Sequence, residues 1–402
     1  MKILYFGTIC DLNHYETILK KCQKKPTVAT IVFESALLEG FQKNGVQMEI
    51  YSFPMIPAFP GSSLLHFGGK EENLPCGYRC RWLNTINVPF LKQWSRRADA
   101  KRILKRWCRE NVQDGVILTY SIPPFLVKDI IKFGKKYGTK AVAIVPDLPR
   151  NMYLNHRGNP LVDAIKERYL SRSLRYQAAF DGYVYLTESM AQVVAPGKPY
   201  IVMEGILNAD PMPVRPKASP RAIMYAGRLH EKYGVMQLVD AFERLELPDT
   251  ELWLFGEGTA VTDIQERVKV NPRIRYFGQV SREEILKKEK EATLLVNPRS
   301  AKEEFTKYSF PSKTIEYMAS GTSLLTTRLE GIPEEYWEYV FSTEDNDVVQ
   351  LEKALTEILS MPNEELTSRG KAAQQFVFKY KGARAQTQRI IDFLEKIIGD
   401  RA

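Results

Sequence analysis

Several segments in the second half of the chain place charged side chains or glycines directly after predicted strands. The first is Tyr225-Ala226-Gly227-Arg228, and Lys232 follows Arg228 by four residues. Ligands of open α/β sheets bind at the carboxyl ends of the strands, so these two cations are placed where an anion would bind. A diphosphate would find two positive charges there, together with the amide groups of a following helix. Two exposed basic residues in a surface loop are the alternative.

Two further glycine turns follow the next predicted strands. Gly256-Glu257-Gly258 ends one strand and Phe277-Gly278 ends another. Glycine lets a ligand approach the backbone closely, so both turns are candidate parts of the same binding site. A single glycine pair is a weak indication, whereas three strands that each end in glycine form a stronger one.

The most specific pattern is Phe310-Pro311-Ser312-Lys313, with Glu316 one helical turn later. A proline before it and a glycine after it predict a helix over Lys313–Ala319. The carboxylate of Glu316 can accept hydrogen bonds from ribose hydroxyls. The first helical turn, with Ser312 and Lys313, can face phosphate. For Glu316 alone, a solvated helix residue is the alternative.

The elements that carry these segments repeat as a short apolar strand, a turn and a helix. This alternation predicts parallel sheets covered by helices on both faces. The predicted strands are Lys2–Gly7, Val46–Phe53, Gly115–Tyr120, Lys140–Val145, Asp181–Leu186, Pro199–Met203, Ala222–Ala226, Glu251–Phe255, Ile274–Phe277, Thr293–Val296 and Ser323–Thr326. The predicted helices are Ile131–Tyr137, Asp163–Tyr176, Met236–Arg244, Ala260–Val270, Arg282–Ala292, Lys313–Ala319 and Ala383–Ile398.

A proline-rich segment, Asn208–Pro216, interrupts this alternation and predicts an extended linker. A chain of 402 residues is long enough for two domains. We expect an α/β protein in which residues 1–208 form one domain and residues 209–382 the other. The C-terminal segment, about residues 383–402, can pack back onto the first domain.

In this order and rough spacing, the quoted residues resemble the donor domain of glycosyltransferase family 4. Members are retaining glycosyltransferases of the GT-B architecture, in which two Rossmann-like, doubly wound domains face a central cleft. The resemblance implies a nucleotide-sugar donor, such as a UDP- or GDP-sugar, and no separate cofactor. It also implies that Arg228 and Lys232 hold the donor diphosphate and that Glu316 binds the ribose. The remaining implied donor contacts are Gly7, Gly227, Gly256, Gly258, Phe277, Gly278, Ser312 and Lys313.

The sequence departs from the family pattern at two places. Members commonly carry a glutamate eight residues before the ribose glutamate, and this position is Tyr308 here. Glu303 and Glu304 are nearby candidates to replace its contact. After the first strand the family often has a glycine pair, whereas this chain has only Gly7. The F-P-S-K form resembles a subgroup of bacterial surface-polysaccharide enzymes, which implies exopolysaccharide or capsule synthesis.

In the first half, Val145-Pro146-Asp147-Leu148-Pro149 follows a predicted buried strand. Related enzymes often place a histidine or aspartate there, so the resemblance implies that Asp147 orients the acceptor or the donor. An Asx turn or a helix cap is the alternative. The segment Tyr120-Ser121-Ile122-Pro123-Pro124 ends the preceding strand similarly and is a candidate for the acceptor side.

The implied mechanism uses Asp147, Arg228 and Lys232 as catalytic residues. The leaving nucleoside diphosphate develops negative charge, which the two cations would stabilise. We expect transfer without a metal and with retention at the anomeric carbon. A non-catalytic, nucleotide-sugar-binding partner subunit and a sugar-nucleotide epimerase of the same fold remain alternatives.

The chain has a net charge of +9, and the excess lies in its first half. Residues 1–210 hold 29 Lys and Arg against 18 Asp and Glu, whereas the remaining residues hold 28 against 30. Such a positive charge favours one of three kinds of partner, namely nucleic acid, an anionic membrane surface or an anionic substrate. No nucleic-acid-binding motif accompanies it, so we expect a glycan or polyprenyl-diphosphate-linked acceptor and no nucleic acid.

The segment Val88–Glu110 concentrates basic residues on a predicted helix. Two interpretations of this segment remain open, namely an interfacial helix that binds anionic lipid and a helix that packs on the sheet. The apolar residues expected to share one face are Leu91, Trp94, Ala98, Ile103 and Trp107. Before it, the aromatic segment Pro54–Pro89 predicts either a functional loop or a small structural insertion.

The five cysteines, odd in number and sparse, favour a reducing cytoplasm. Cys76 and Cys80 form a C-x3-C pair without a second pair, so we expect no metal site. No apolar run approaches the length of a membrane span, and Met1–Gly7 predicts a strand rather than a signal peptide. These observations predict a cytoplasmic protein that can meet the inner face of the cell membrane at its surface.

Overall fold

The structure is a computed structural model that describes residues 1–23, 29–112, 114–150, 160–207 and 215–399. The chain divides into two compact units, Met1–Ile206 with Ala383–Ala402, and Leu207–Gly382. Most of the predicted linker, residues 208–214, lies outside the described residues.

The first unit contains an eight-stranded sheet and a separate two-stranded one. Its strands are β1 (Lys2–Gly7), β2 (Gln47–Ser52), β3 (His66–Phe67), β4 (Glu71–Asn73), β5 (Arg79–Trp82), β6 (Thr85–Ile86), β7 (Gly115–Tyr120), β8 (Lys140–Val145), β9 (Gly182–Tyr185) and β10 (Tyr200–Val202). The large sheet has the order β10-β9-β8-β7-β1-β2-β5-β4, and only the β4–β5 pair is antiparallel. All six residues of β7 are buried, which explains its continuous apolar sequence.

The helices of the first unit lie between its strands in the sequence and cover the sheet. They are α1 (Leu12–Leu19), α2 (Ala29–Lys43), α3 (Leu91–Glu110), α4 (Val127–Tyr137), α5 (Pro160–Leu174) and α6 (Ser189–Val194). Helix α4 shows why such segments end where they do, since Gly138 ends it in the left-handed conformation that favours glycine.

The segment between β2 and α3, for which a functional loop and a small structural insertion were both predicted, contains strands. It contributes β5 and β4 to the edge of the large sheet and forms the β3–β6 pair. Two cations of α3 bind its backbone. The guanidinium of Arg96 donates to the carbonyl oxygen of Pro54 at 2.8 Å and to the Thr85 hydroxyl at 3.2 Å. The ammonium of Lys92 donates to the carbonyl oxygen of Ile56.

Helix α3 corrects the predicted apolar face. Ile103 and Trp107 are buried, as expected for a helix that packs within the unit, but Leu91 and Trp94 are exposed. The buried side of the first turns instead includes Arg96, whose charge is satisfied by backbone oxygen. A hydropathy pattern cannot indicate such a position, because hydrogen bonds compensate the burial of the charge.

The second unit has a six-stranded, wholly parallel sheet. Its strands are β11 (Arg221–Ala226), β12 (Thr250–Phe255), β13 (Ile274–Gly278), β14 (Leu294–Asn297), β15 (Ser323–Thr327) and β16 (Phe341–Thr343), in the order β13-β12-β11-β14-β15-β16. Its helices are α7 (Val235–Glu243), α8 (Val261–Val270), α9 (Arg282–Glu291), α10 (Lys313–Ser320), α11 (Val348–Leu359) and α12 (Asn363–Tyr380). The strand order reverses between β11 and β14, as in doubly wound sheets.

The last helix, α13 (Ala383–Gly399), belongs to the first unit and packs against α2. Ile390 and Leu394 have no solvent exposure, and Phe393 lies against Gly182 of β9. A Cβ atom on Gly40 of α2 would lie 2.3 Å from the carbonyl oxygen of Ala383, so glycine permits this close approach. Within the described ranges, no helix has the length and the apolar character needed to cross a membrane.

Candidate functional site

The candidate site of the second unit lies at the carboxyl ends of β11 and β14, where the strand order reverses. The loop after β11 is fixed to the loop after β12 by backbone hydrogen bonds. The N–H of Gly227 donates to the carbonyl of Phe255 at 3.0 Å, and that of Leu229 donates to the carbonyl of Glu257 at 2.9 Å. These bonds continue the sheet ladder into the loops and hold them in one conformation.

The glycines of the β12 loop are explained by this contact. Gly256 has a φ of +123°, and a Cβ atom there would lie 1.8 Å from the carbonyl oxygen of Gly227. A Cβ atom on Gly258 would lie 2.1 Å from the carbonyl oxygen of Leu229. The two predicted site glycines therefore let one loop backbone rest on the other.

Arg228 and Lys232 both lie exposed on the loop that follows β11. The Lys232 ammonium is 5.2 Å from the centroid of the Tyr233 ring and 5.9 Å from that of Phe305. These two rings meet edge to face, with centroids 6.2 Å apart. The aromatic pair thus holds the Lys232 stem while both cations stay accessible to a ligand.

Arg299 is a third cation of this site, and no sequence motif had indicated it. It follows β14, and its guanidinium lies 5.2 Å from the centroid of the same Tyr233 ring. Partial burial lowers its pKa, and its electrostatic neighbours are the tyrosines Tyr225, Tyr233 and Tyr317. Within the described part of the chain, no carboxylate forms an ion pair with it. A partly buried cation without a carboxylate partner favours an anion at this place.

Helix α10 places the predicted ribose-binding residue beside these cations. The hydroxyl of the buried Tyr317 accepts the N–H of Ala226 at 2.8 Å and donates to its carbonyl at 3.1 Å. Helix α10 is thereby tied to the last residue of β11. One residue earlier, Glu316 accepts a hydrogen bond from the ammonium of Lys313 at 2.8 Å. The predicted residues Arg228, Lys232, Lys313 and Glu316 are therefore carried by directly connected elements.

Ser312 and Phe310 complete the first turn of α10. Ser312 is exposed at the N-cap position, and its side chain makes no capping hydrogen bond. Phe310 is buried against Tyr336, with ring centroids 5.6 Å apart. The phenylalanine anchors the turn and leaves the serine hydroxyl at the surface.

Glu289 is a second residue that no sequence motif had indicated. It lies on α9 and has no solvent exposure, neither of its carboxyl oxygens has a hydrogen-bond partner among the described residues, and Glu316 is its main electrostatic neighbour. Burial, followed by the charge of Glu316, raises the pKa of Glu289 well above its ordinary range. The sequence had suggested Glu303 and Glu304 for a second glutamate. Both are exposed, and neither has a hydrogen bond or ion pair to Glu316 within the described residues.

Phe277, at the edge of the sheet, presents an aromatic surface beside the β12 loop. Its ring stacks on Phe255 with centroids 4.5 Å apart and an interplanar angle of 4°. The side chain is partly exposed, which suits a planar ligand group. Gly278, with a φ of +69°, turns the chain there, and its carbonyl accepts the N–H of Gly256 at 2.8 Å.

In the first unit, Gly7 lies above a buried glutamate. A Cβ atom on Gly7 would lie 2.0 Å from the Oε2 atom of Glu34. Glu34 accepts hydrogen bonds from the Tyr5 hydroxyl at 2.7 Å and from the Thr8 N–H at 2.9 Å. Burial raises the pKa of Glu34 to about 7. Gly7 and Glu34 together fix the loop that follows β1.

Asp147 follows β8 and is partly buried. Its Oδ1 atom accepts the N–H of the next residue, Leu148, at 2.7 Å, whereas the bond of an Asx turn would come from the residue after that. Directly after the neighbouring β7, Ser121 has a φ of +66°, an unusual value for a residue other than glycine. Backbone strain of this kind collects at functional sites, so the ends of β7 and β8 are the candidate site of the first unit.

The described residues contain no group of three or more His, Cys, Asp or Glu side chains that could hold a metal ion. All five cysteines are free thiols.

Residues 220–361 match the family model described as "Glycosyl transferases group 1". The matched residues include Arg228, Lys232, Arg299 and Glu316. The chain is 29% identical over 168 residues, 40% of its length, to a glycogen synthase of Mycobacterium tuberculosis. The match spans 39% of the length of that relative.

Solved structures with the same fold cover nearly the whole chain. Sucrose-phosphate synthase from Thermosynechococcus elongatus superimposes with a TM-score of 0.62 at 14% identity, over 99% of this chain and 100% of that one. The lipopolysaccharide outer core galactosyltransferase WaaB superimposes with a TM-score of 0.61 at 14% identity, over 98% and 99%. The α,α-trehalose 6-phosphate synthase from Burkholderia multivorans superimposes with a TM-score of 0.59 at 12% identity, over 99% and 97%. The predicted GT-B fold is therefore confirmed.

Proposed function

We propose that this protein is a glycosyltransferase that moves a sugar, with retention and without a metal, from a nucleotide-sugar donor to a glycan or lipid-linked acceptor. One observation carries the proposal. Arg228 and Lys232 follow β11 and the partly buried Arg299 follows β14, Lys232 and Arg299 share the Tyr233 ring, and no carboxylate of the described residues pairs with Arg299. The match to the group 1 family model and the likeness to a glycogen synthase support it.

The chemistry follows from where charge develops. When the bond between the sugar and the diphosphate breaks, negative charge grows on the leaving group, and fixed cations stabilise that charge without reorganisation. Lys232 and Arg299 both contact the Tyr233 ring, and Glu316 stands one residue from the Tyr317 anchor. In this proposal Glu316 accepts hydrogen bonds from the ribose, Phe277 stacks on the base, and Asp147 orients the reacting groups.

The first experiment is a thermal-shift screen with UDP, GDP, ADP and their glucose, galactose, mannose and N-acetylglucosamine conjugates. A ligand that binds only the folded state raises the melting temperature, and the more so the tighter it binds. We expect one nucleotide series to stabilise the protein and the Arg299→Ala variant to lose most of that shift. If no nucleotide raises the melting temperature, the proposal fails.

The second experiment follows transfer and hydrolysis of the bound donor with and without EDTA. We expect turnover that EDTA does not change, and a product with the anomeric configuration of the donor, as NMR can show. Binding without any turnover would instead identify the protein as a non-catalytic, nucleotide-sugar-binding partner. Release of an epimerised nucleotide sugar would contradict transfer and favour an epimerase.

We further propose that the acceptor is presented at the cytoplasmic face of a membrane, as in surface-polysaccharide assembly. Helix α3 supports this. At its start Phe90 is 74% exposed and Trp94 is 65% exposed, with Leu91 between them. Exposed basic residues follow on the same helix, namely Lys101, Arg102, Lys105, Arg106 and Arg109. Aromatic residues beside cations are typical of surfaces that bind anionic lipid headgroups.

Co-sedimentation with vesicles tests this membrane proposal. We expect binding to phosphatidylglycerol vesicles, little binding to phosphatidylcholine vesicles, and loss of binding in a Phe90→Ser, Trp94→Ser double variant. Val270→Ser removes a similarly exposed apolar side chain from the second unit and is the matched control. Equal binding of the double variant and the control would refute the proposal.

A further inference from the structure

Glu289 has no part in the chemistry proposed above, although it touches the residue that is proposed to bind the ribose. It lies on α9, which packs against α10, the helix of Glu316. Its side chain has no solvent exposure. Among the described residues, no N–H group and no hydroxyl donates to either of its oxygens. Neither oxygen has a hydrogen-bond partner among the described residues, and the carboxyl group of Glu316 is the main electrostatic neighbour of Glu289.

Two carboxyl groups can form a hydrogen bond only when one of them carries a proton. The proton belongs to Glu289, because that residue is buried and, among the described residues, lacks an ion pair. Glu316 is 26% exposed and accepts a hydrogen bond from the Lys313 ammonium. A hydrogen bond between the two groups would therefore join a neutral carboxylic acid that donates, Glu289, to a carboxylate that accepts, Glu316.

We propose that Glu289 is a positioning residue whose carboxyl O–H holds the Glu316 carboxylate in the orientation that accepts hydrogen bonds from the ribose hydroxyls of the donor. This inference rests on the proposed function. Lys313 donates to Glu316 from α10 itself, and Glu289 would donate to it from α9, so that the Glu316 carboxylate would not turn freely. The proton on Glu289 also keeps a second negative charge away from a site that must accept a diphosphate.

The chain thereby has a second glutamate beside Glu316, although the position eight residues before it is Tyr308. The second group comes from α9 and not from the loop before α10, where Glu303 and Glu304 lie. It is a buried hydrogen-bond donor, so it acts on the ligand only through Glu316.

The test compares Glu289→Leu and Glu289→Gln with the wild type by isothermal titration calorimetry. The ligands are UDP, GDP and ADP and the 2′,3′-dideoxy form of each. For the nucleotide that binds, we expect the wild type to prefer the ribose form by about tenfold or more, because hydrogen bonds to a charged group are lost in the dideoxy form. Glu289→Leu should reduce this preference to less than about threefold and leave the affinity for the dideoxy form unchanged.

Glu289→Gln should keep the preference at pH 7, because the glutamine amide N–H can still donate to Glu316. The two proteins should differ at higher pH. The charged or titratable groups that face Glu289 are Glu316, Lys313, Arg282 and Tyr317. As pH rises from about 7 to about 9.5, Glu289 loses its proton and repels Glu316, so the wild-type ribose preference should fall. Glutamine has no proton to lose, so the preference of Glu289→Gln should stay constant.

Glu316→Ala separates failure of this inference from failure of the proposed function. If Glu316→Ala keeps the ribose preference, the assignment of Glu316 to the ribose is wrong and the inference falls with it. If Glu316→Ala loses the preference but Glu289→Leu keeps it, the role of Glu289 is refuted while the proposed function stands. Should Glu289→Leu not fold, the decision rests on Glu289→Gln, and a pH profile identical to that of the wild type overturns the inference.

Discussion

The buried carboxyl group of Glu34 makes the stability of the first unit depend on pH. Burial raises its pKa from an ordinary value of 4.5 to about 7, because the loss of solvation outweighs the hydrogen bonds from Tyr5 and Thr8. Between these pH values the folded protein keeps a proton that the unfolded chain releases. Stability must therefore fall as pH rises, and the loss is complete above the folded pKa.

The magnitude follows from the size of the shift. Each pKa unit corresponds to about 1.4 kcal/mol, so a shift from 4.5 to about 7 amounts to about 3 kcal/mol. The variant Glu34→Gln resembles the protonated form and does not titrate. We therefore expect the free energy of unfolding of Glu34→Gln, minus that of the wild type, to increase by about 3 kcal/mol from about pH 4.5 to about pH 8.

The assay is urea unfolding followed by tryptophan fluorescence at a series of pH values. Trp253 and Trp337 are replaced by phenylalanine, so that the signal comes from the first unit alone. The remaining tryptophans are Trp82, Trp94 and Trp107. Glu39→Gln removes the same charge at a partly exposed position of α2 and is the matched control. For the control, we expect a difference in the free energy of unfolding from the wild type that does not change with pH. The same pH-independent difference for Glu34→Gln would refute the argument.

Three further predictions concern the two candidate sites. Gly256→Ala should destabilise the second unit by more than about 3 kcal/mol in urea, because its Cβ would lie 1.8 Å from a carbonyl oxygen. Gly278→Ala, whose nearest atom is 4.0 Å away, should cost only about 1–2 kcal/mol, and equal losses would contradict the packing argument. Arg228→Ala and Lys232→Ala should each lower kcat by about 10²–10³ with an unchanged melting temperature, and unchanged turnover in both would remove the diphosphate assignment. Asp147→Asn should lower kcat while the hydrogen bond from the Leu148 N–H persists, and full activity would refute the catalytic role of Asp147.

The strands were predictable from the sequence because the central ones are buried on both faces. Three strands begin and end at the predicted residues, namely Lys2–Gly7, Gly115–Tyr120 and Lys140–Val145. Their bounds were predictable because each is a continuous apolar run between turns. The short strands β4 and β5 were not predicted, because edge strands of three or four residues with charged side chains have no such run. Helices α2, α11 and α12 were not predicted either, as no chemical motif marks them.

The candidate site was predictable only where it follows a strand. The rule that placed Arg228 after β11 applies equally to Arg299 after β14, so the sequence contained that signal. Glu289 had none, because it lies in a helix rich in lysines and glutamates, whose charged side chains are all compatible with solvent. Its burial results from the packing of α9 on α10, which depends on the fold of the whole unit.

The return of α13 to the first unit has a consequence for how the protein is made. The second unit is continuous in the chain, so all its residues are synthesised before α13. The first unit, most of which is synthesised before its neighbour, lacks Ile390, Phe393 and Leu394 from its core until α13 emerges. A nascent first unit therefore exposes the apolar surface of α2 and β8 throughout the synthesis of its neighbour. The unit whose synthesis begins first is therefore completed last. A chaperone that binds exposed apolar surface would bind this unit.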